Sequence, residues 1–584
     1  MDPAKFQKTN ISWTHFFPFL TWLQNMNRTT LKADFIAGLT VALVAIPQSL
    51  AYAQLAGVPA YYGLYASLLP VIVGALMGSS PALSTGPVAM TSLLTAASVM
   101  TLATFGTEQF YTYVILMALL SGLIQIGLGL GRMGMLINFL SYPVLRGFIN
   151  AAAIIIGLSQ LPAMLGLTLK NSTHFLSDVL HVIEHANLMH TMSLAFGVGA
   201  LALLALMKKF TPKLPGVLIV VAVGTYISYL VGFEADGGTV VGTIPQGLPG
   251  FSMPEVDWQA SMHMLPSAFV IAIISFMEAM SSSKIIAIKT RTRWDENQEL
   301  IGQGIAKVVA AFNHSMPVSG SFSRSALNLA TGAKTGMASV FSALLVLLVL
   351  LFFTSLLYHL PKPILAAVIM MAVFSLLNFE SIKDAWVANK LDGVAAIVTF
   401  VATLSFAPNI QNGILTGIIL SLMLFLYRTM KPRIVILGQD KHGVLRNARR
   451  FSLPKLHPQV VAIRFDGQLY FANVSYFEES VLYLVGNDPD LKVILVVCNG
   501  INGLDASGVE MLRNLLERLG QAGITLTFSS MKESVADVMQ RTGLLEKIGS
   551  ENIFISERNA IELISERLGE SAAVSEDGAP DDAQ

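Results

Sequence analysis

Charge is scarce in this sequence: Asp, Glu, Lys and Arg make up 13% of its 584 residues, 53% are hydrophobic, and the mean hydropathy is +0.62. A soluble globular chain carries about 25% charged residues, so most of this one cannot face water. The scarcity is uneven, because residues 34 to 430 are nearly depleted of charge and residues 431 to 584 are ordinary. Acidic and basic residues balance at 37 each, and the basic ones form no stripe. That excludes the electrostatic footprint of a nucleic-acid binder. Cysteine is almost missing: Cys498 stands alone, so no disulfide can form within the chain. Its place after the apolar run from Lys492 to Val497 reads as a buried strand thiol. The ten histidines read as scattered, so no metal and no cofactor is expected. The first 30 residues lack the basic, apolar and small-residue sequence of a removable signal peptide. Thr331-Gly332-Ala333-Lys334-Thr335 lacks the first glycine of a phosphate-binding loop and has no strand before it, which excludes a nucleotide-driven pump on that motif. Nothing indicates covalent catalysis, and the chain is read as not an enzyme.

What is present is apolar runs. A membrane span needs about 20 apolar residues, fewer where it is buried in a bundle, and hydropathy predicts fourteen. The first seven cover 34–53, 62–78, 87–104, 109–130, 138–164, 190–207 and 214–233. The second seven cover 262–283, 298–313, 323–335, 337–358, 361–378, 391–408 and 411–428. The stretch 175–187 is amphipathic and short, and is placed on the surface. Positive charge gathers on the cytoplasmic side of a membrane. With the N-terminus inside, the inner loops hold Arg132, Lys208, Lys209, Lys213, Lys284, Lys289, Arg291, Arg293, Lys334, Lys383 and Lys390. Outer loops hold acidic runs such as Glu234 to Asp236 and Glu255 to Asp257. The reading is a multi-pass protein of the cell membrane, in contact with the lipid bilayer, with both termini cytoplasmic. Halves of seven spans run in opposite directions, the arrangement of an inverted-repeat transporter.

Spans 3 and 10 are too short to cross. One follows Ser84-Thr85-Gly86-Pro87 and the other follows Pro317-Val318-Ser319-Gly320-Ser321, at matched places in the two halves. Matched interruptions point to a binding site near the bilayer midplane. Pro87 is expected in the first helical turn, where its missing N–H costs nothing.

The domain boundaries read from the sequence are an N-terminal cytoplasmic segment 1–33, a transport domain 34–430, a linker 431–450, an α/β domain 451–568 and a disordered acidic tail 569–584. In the α/β domain, 460–465, 468–474, 492–498 and 525–529 read as strands. Residues 506–519, 531–540 and 557–568 read as helices, and the alternation implies an α/β layer.

Two blocks carry a family resemblance. Ile46-Pro47-Gln48-Ser49-Leu50-Ala51-Tyr52-Ala53, Gly63-Leu64-Tyr65, Gly78-Ser79-Ser80 and Gly86-Pro87-Val88-Ala89 form the first. Asn297-Gln298-Glu299-Leu300 and Gly320-Ser321-Phe322-Ser323-Arg324-Ser325-Ala326-Leu327-Asn328 form the second. Both resemble the SulP anion permeases, which include sulfate permeases, bicarbonate transporters and the animal exchangers related to prestin and pendrin. Leu504-Asp505-Ala506-Ser507-Gly508-Val509 resembles the STAS domain such proteins carry. The resemblance implies a polytopic α-helical, uracil-permease-like fold of seven plus seven spans followed by an α/β STAS domain. It also implies a core moving against a gate, a homodimer, and an unidentified cytoplasmic partner of the STAS domain. The animal relatives have an aromatic where Val88 stands, so a ring contact with the anion does not carry over.

A hydrated anion can be held by unpaired N–H groups at half-helix N-termini. Each terminus acts as about half a positive charge. Val88 and Ala89 open the first half-helix. Ser323, Arg324 and Ser325 open the second, bringing a cation and two hydroxyl groups. Gln48 and Tyr52 of span 1 supply an amide and an aromatic wall, as the resemblance implies. Arg324 could instead be a structural cation, and the serines could serve packing or capping; ionisable groups inside a membrane are functional by default. Glu278, read as the other buried charge, is a candidate proton carrier, and a permanent salt bridge to Arg324 is the competing reading. Asp505 and Ser507 are candidate regulatory residues, Ser507 at the place where small bacterial STAS proteins are phosphorylated. The expected function is proton-coupled sulfate uptake. The alternatives are transport or exchange of bicarbonate or chloride with sodium as coupling ion, or a membrane-tethered signalling sensor.

Overall fold

The computed structural model describes residues 17–24, 26–134, 141–167, 175–211 and 214–569. The start of the expected N-terminal segment, Lys213, the first residues of the fifth span and the acidic tail after Gly569 lie outside them. The chain divides into two compact units, Met1–Ser421 and Leu422–Gln584.

Helical segments stand where all fourteen spans were expected. The first series is α1 (Arg28–Ala56), α2 (Tyr61–Met77), α3 (Ala89–Val99), α4 (Glu108–Leu130), α5 (Tyr142–Leu165), α6 (Thr191–Phe210) and α7 (Gly216–Val231). The second is α8 (Trp258–Thr290), α9 (Glu296–Phe312), α10 (Phe322–Ala330), α11 (Met337–Leu357), α12 (Lys362–Phe374), α13 (Lys390–Phe406) and α14 (Ile410–Met430). Oxygen-bearing caps fix several starts by accepting orphan backbone N–H groups: Asn27 for α1, Asp257 for α8 and Asp295 for α9. At 1.5 Å per residue, the 11 residues of α3 and the 9 of α10 reach only about half the thickness of a bilayer core. Pro87 stands one residue before the α3 cap, Val88, rather than in the first turn.

The two series interlock. α1 packs on α11, α4 and α2 on α9, and α8 on α4, while α13 packs on α5 and α6 on α12. This separates α1–α4 with α8–α11 from α5–α7 with α12 and α13, and α1 touches the second group through α12 and α7. α14 joins the latter group where a Cβ on Gly417 would run into Thr399 Oγ1 of α13 and lie 2.6 Å from Val144 Cγ1 of α5. Glycines set the closest crossings. A Cβ on Gly122 of α4 would lie 2.8 Å from the Gly304 carbonyl oxygen of α9, and one on Gly304 would lie 2.8 Å from the Gly122 carbonyl oxygen, the small-residue contact of membrane helix pairs. Buried Asp34 accepts from Lys334 N, Thr335 N and Thr335 Oγ at 2.6, 3.1 and 2.6 Å. The segment that resembled a phosphate loop is thus a joint between α10 and α11. The stretch 175–187 is a surface helix (Phe175–Glu184) with Leu176, Leu180 and Ile183 exposed. Its histidines correct the expectation of scatter: the ligand atoms of His181, Glu184 and His185 lie within 4.8 Å of one another.

The second unit has a sheet in the order β4 (Leu445–Asn447), β3 (Arg433–Gln439), β5 (Val460–Leu469), β6 (Val493–Val497), β8 (Thr525–Ser529), β9 (Ile553–Phe554), with β7 (Ile501–Leu504) also on β5. β3 is antiparallel to β5, and β5, β6, β8 and β9 run parallel. Within 431–450, expected as a linker, Arg433–Gln439 and Leu445–Asn447 therefore belong to the sheet. The expected strand 468–474 is also corrected: β5 runs on to Leu469 and a helix, α15 (Val474–Asn487), begins at Val474. Alternation places Val461, Ile463, Phe465, Ile494 and Val496 against Phe477, Leu512 and Leu515, and Val460, Ala462, Leu495 and Val497 against Ala560 and Ile564. Cys498 is buried in the first layer, and burial pushes its thiol up to about 12, so it is a packing residue. Asp505 caps α16 (Ala506–Gln521), its Oδ1 accepting from Gly508 N at 2.8 Å and its Oδ2 from Phe471 N at 3.0 Å. Ser507 stands second in that helix and is half-buried.

Candidate functional site

Thr85 and Gly86 (β1) pair antiparallel with Gly320 and Ser319 (β2). α3 follows β1 and α10 follows β2, so both half-helices start at one short antiparallel ladder. Ser321 N donates to Ser84 O (2.8 Å), and Ser84 N donates to Ser325 Oγ (2.9 Å), which ties the arms together. The first intrahelical bonds run from Ser92 N to Val88 O and from Ser325 N to Ser321 O. The N–H groups of Ala89, Met90 and Thr91, and those of Phe322, Ser323 and Arg324, precede them. Val88 gives α3 no side-chain cap, and Ser321 caps α10 only at 3.4 Å. The two ends together place about one positive charge at the ladder.

Arg324 adds a full charge there and is 2% exposed. Its Nη1 donates to Pro87 O at 2.8 Å, crossing from the second half to the first, while its Nη2 is buried without a hydrogen-bond partner. Such donors are expensive to leave unpaired. Gln48 is buried with its Oε1 also unpartnered, and buried Tyr52 lies within electrostatic reach of both Arg324 and Glu278. Val88, Ala89 and Arg324 are buried beside the ladder and Gln48 and Tyr52 are buried on α1, while Ser323 is exposed and Ser325 is engaged with Ser84. Ser323 and its neighbours Phe322 and Ala326 are exposed on α10, whereas every residue of α3 is buried. A cavity of about 320 Å³ lies along α8 and α10, lined by Ser282, Ile286, Lys289, Phe322 and Ser325 among others.

Glu278 is not in a direct ion pair with Arg324 among the described residues. Its Oε2 accepts from Ser319 Oγ at 3.1 Å, and that hydroxyl also reaches Ser275 O at 2.8 Å. Glu278 is thus fastened to β2 itself. Nor is it the other buried charge that the sequence suggests: Glu278 is half-buried, whereas Asp34, Glu299 and Lys307 are each 0% exposed. Glu299, Gln303 and Lys307 stand four apart on α9, a buried polar stripe visible in the sequence as helical spacing. Glu299 accepts from Ser79 N and Ser80 N at 2.9 and 3.1 Å, and Gln303 Nε2 donates to Thr85 Oγ1 at 2.8 Å, so the stripe steadies the arm of the first half.

A Cβ on Gly320 would come within 2.8 Å of Ala279 Cα and 2.9 Å of its Cβ, beside Glu278. Gly320→Ala should therefore lower stability by about 1–3 kcal/mol, the usual cost of overpacking, read as the melting temperature of the full chain in detergent. An unchanged melting temperature would show that the ladder can shift to admit a methyl group.

Residues 31–399 match the model of the sulfate permease family. The chain belongs to that family. It is accordingly a multi-pass membrane transporter of anions rather than an enzyme. Residues 454–560 match the STAS domain. Among curated relatives, the probable sulfate transporter 4.2 of Arabidopsis thaliana is 32% identical over 97% of this chain and 86% of its own length. A probable sulfate transporter of Mycobacterium tuberculosis is 30% identical over 96% of this chain and 99% of its own. Among solved structures, murine Slc26a9, an anion transporter described in the inward-facing state, superposes with a TM-score of 0.86 at 23% identity and covers 97% of both chains. That likeness shows the shared fold.

Proposed function

We propose that this sulfate permease family member carries out proton-coupled sulfate uptake across the cell membrane. The observation that carries the reading is the buried Arg324 Nη2, unpartnered where two uncapped or weakly capped half-helices meet. About one positive charge from the helix ends and one from Arg324 suit a divalent anion. Ala89, Ser323 and Ser325 supply backbone and hydroxyl donors, and Gln48, Tyr52 and Val88 wall the site. The curated relatives named as sulfate transporters support sulfate as the anion. Glu278, held to β2 through Ser319, is the proton carrier. The separate packing of α1–α4 with α8–α11 and of α5–α7 with α12–α14 supports an elevator-like movement, with exposure along α10 and burial along α3 as one access state. Family resemblance adds a homodimer and a cytoplasmic partner of the STAS domain, and the basic inner loops favour cytoplasmic termini. Ser507, at an N-terminal turn capped by Asp505, is a position where a phosphate would be electrostatically comfortable.

Radiolabelled sulfate uptake into proteoliposomes under an imposed pH gradient tests the reading. Accumulation above equilibrium only when the uptake side is acidic is the expected result; accumulation indifferent to the gradient would overturn it. Because β3 starts at Arg433, the clean truncation removes 431–584. We expect it to lower transport or surface expression and to leave the order of anion preference unchanged in competition assays. An altered preference would show that the STAS domain contributes to selection.

A further inference from the structure

Lys307 is absorbed neither by the anion site nor by the proton step, yet an ammonium inside a membrane protein is a functional candidate by default. The crossing of α4 and α9 positions it: a Cβ on Gly122 would lie 2.9 Å from Lys307 Cβ, so the lysine stem leaves the helix contact where the backbones are closest. Its Nζ donates to Gln125 Oε1 at 3.0 Å and to Ser275 Oγ. The orientation of that acceptor set is fixed. Gln125 Nε2 donates to Ala272 O at 2.8 Å and to Ser275 Oγ at 3.1 Å, and Ser275 Oγ donates to Ala272 O at 3.1 Å. The amide's donors and the hydroxyl's hydrogen are committed elsewhere, so what faces Nζ is oxygen lone pairs. Glu278 lies one turn further along α8 from Ser275 and within electrostatic reach of Lys307. A cell of fixed neutral oxygens with a carboxylate nearby is the ligand chemistry of a hard cation, and here a compact ammonium with three donors fills it.

We propose that Lys307 is a tethered cation that takes the place of a dissolved alkali cation behind the anion site, and so makes transport independent of sodium. The proposal rests on the transport reading above and names Lys307 as the residue that decides the coupling ion. Lys307 acts through Ser275 and Glu278 rather than on the anion. A merely structural lysine would stabilise the fold without creating any response to sodium when removed.

The test uses the full chain, with sodium or choline as the sole monovalent cation. Wild-type uptake is expected to be the same in both; a requirement for sodium would overturn the proposal. Lys307→Ser opens the cell, and we expect sodium, but not choline, to raise its melting temperature in detergent and to strengthen its sulfate affinity by about tenfold, an ordinary coupling between sites. A folded Lys307→Ser variant indifferent to sodium in both measurements would overturn the proposal. Should that variant not fold, Lys307→Met decides, since it fills the same space without charge: it should lose uptake in both salts, and undiminished uptake would show that no cation is needed there. Sodium-dependent melting and sulfate binding need no proton gradient, so these arms stay readable if proton coupling fails. Loss of the sodium effect beside intact pH-driven uptake sinks only the role of Lys307.

Discussion

Arg324→Ala should abolish sulfate binding while leaving the protein folded in detergent. The side chain supplies about half of the positive charge assigned to the ladder, the rest coming from two helix ends. It is also the only described side chain there with a guanidinium nitrogen both buried and unpartnered. Losing a buried, hydrogen-bonded charge from a binding site costs about 2–5 kcal/mol, or roughly thirtyfold to several thousandfold in Kd. The folding cost is smaller, because Nη1 satisfies a single acceptor, Pro87 O, and one buried carbonyl left unpaired costs about 1–3 kcal/mol. Arg324→Lys separates the charge from the fork: an ammonium on a shorter reach cannot serve Pro87 O and a sulfate oxygen together, so partial binding is expected. Isothermal calorimetry with sulfate reads both variants, and full affinity in Arg324→Ala would remove the residue from the site.

The apolar helical segments and the two interruptions were legible in the sequence because hydropathy and proline or glycine breaks act locally. Arg324 and Glu278 stand out in the sequence as charged groups in apolar runs, whereas Gln48 and Tyr52 are implied only by the family resemblance. What escaped was pairing between distant residues. No local pattern tells that Ser325 accepts from Ser84, or that Asp34 holds Lys334 and Thr335, three hundred positions apart. The stripe Glu299, Gln303, Lys307 is readable as a fourfold spacing, but only its first member lies in the family block, and nothing local shows that Lys307 meets Gln125 and Ser275. In the second unit, β3 and β4 were missed because Arg433–Gln439 and Leu445–Asn447 are short and directly follow a long apolar span, so Ile434–Leu437 reads as its continuation. Val474–Asn487 was misread at its start, since Tyr470, Phe471 and Val474 have strand-like side chains and only Asn473, bonded to Tyr470 N and Gln468 O, turns the chain into the helix.

Glu278→Gln should keep sulfate binding and sulfate exchange but lose uphill uptake driven by a pH gradient. The substitution is nearly isosteric, and an amide oxygen can still accept the Ser319 hydroxyl that now reaches Oε2 at 3.1 Å, so the ladder is preserved. Electrostatics separates the two forms. The helix ends and Arg324 together present about two positive charges; an ionised Glu278 subtracts one, and a bound proton restores it. Sulfate therefore binds best to the protonated protein, and wild-type affinity falls as pH rises. Glutamine mimics the protonated state at every pH, so its affinity should stay high and flat with pH. It cannot release a proton on the far side, so each cycle carries sulfate alone. A one-unit pH gradient coupled to one proton per sulfate sustains at most about tenfold accumulation, and the glutamine variant should sustain none while still exchanging labelled for unlabelled sulfate. The outcome that would remove Glu278 from the proton step is a variant that still concentrates sulfate against its gradient with the wild-type pH dependence.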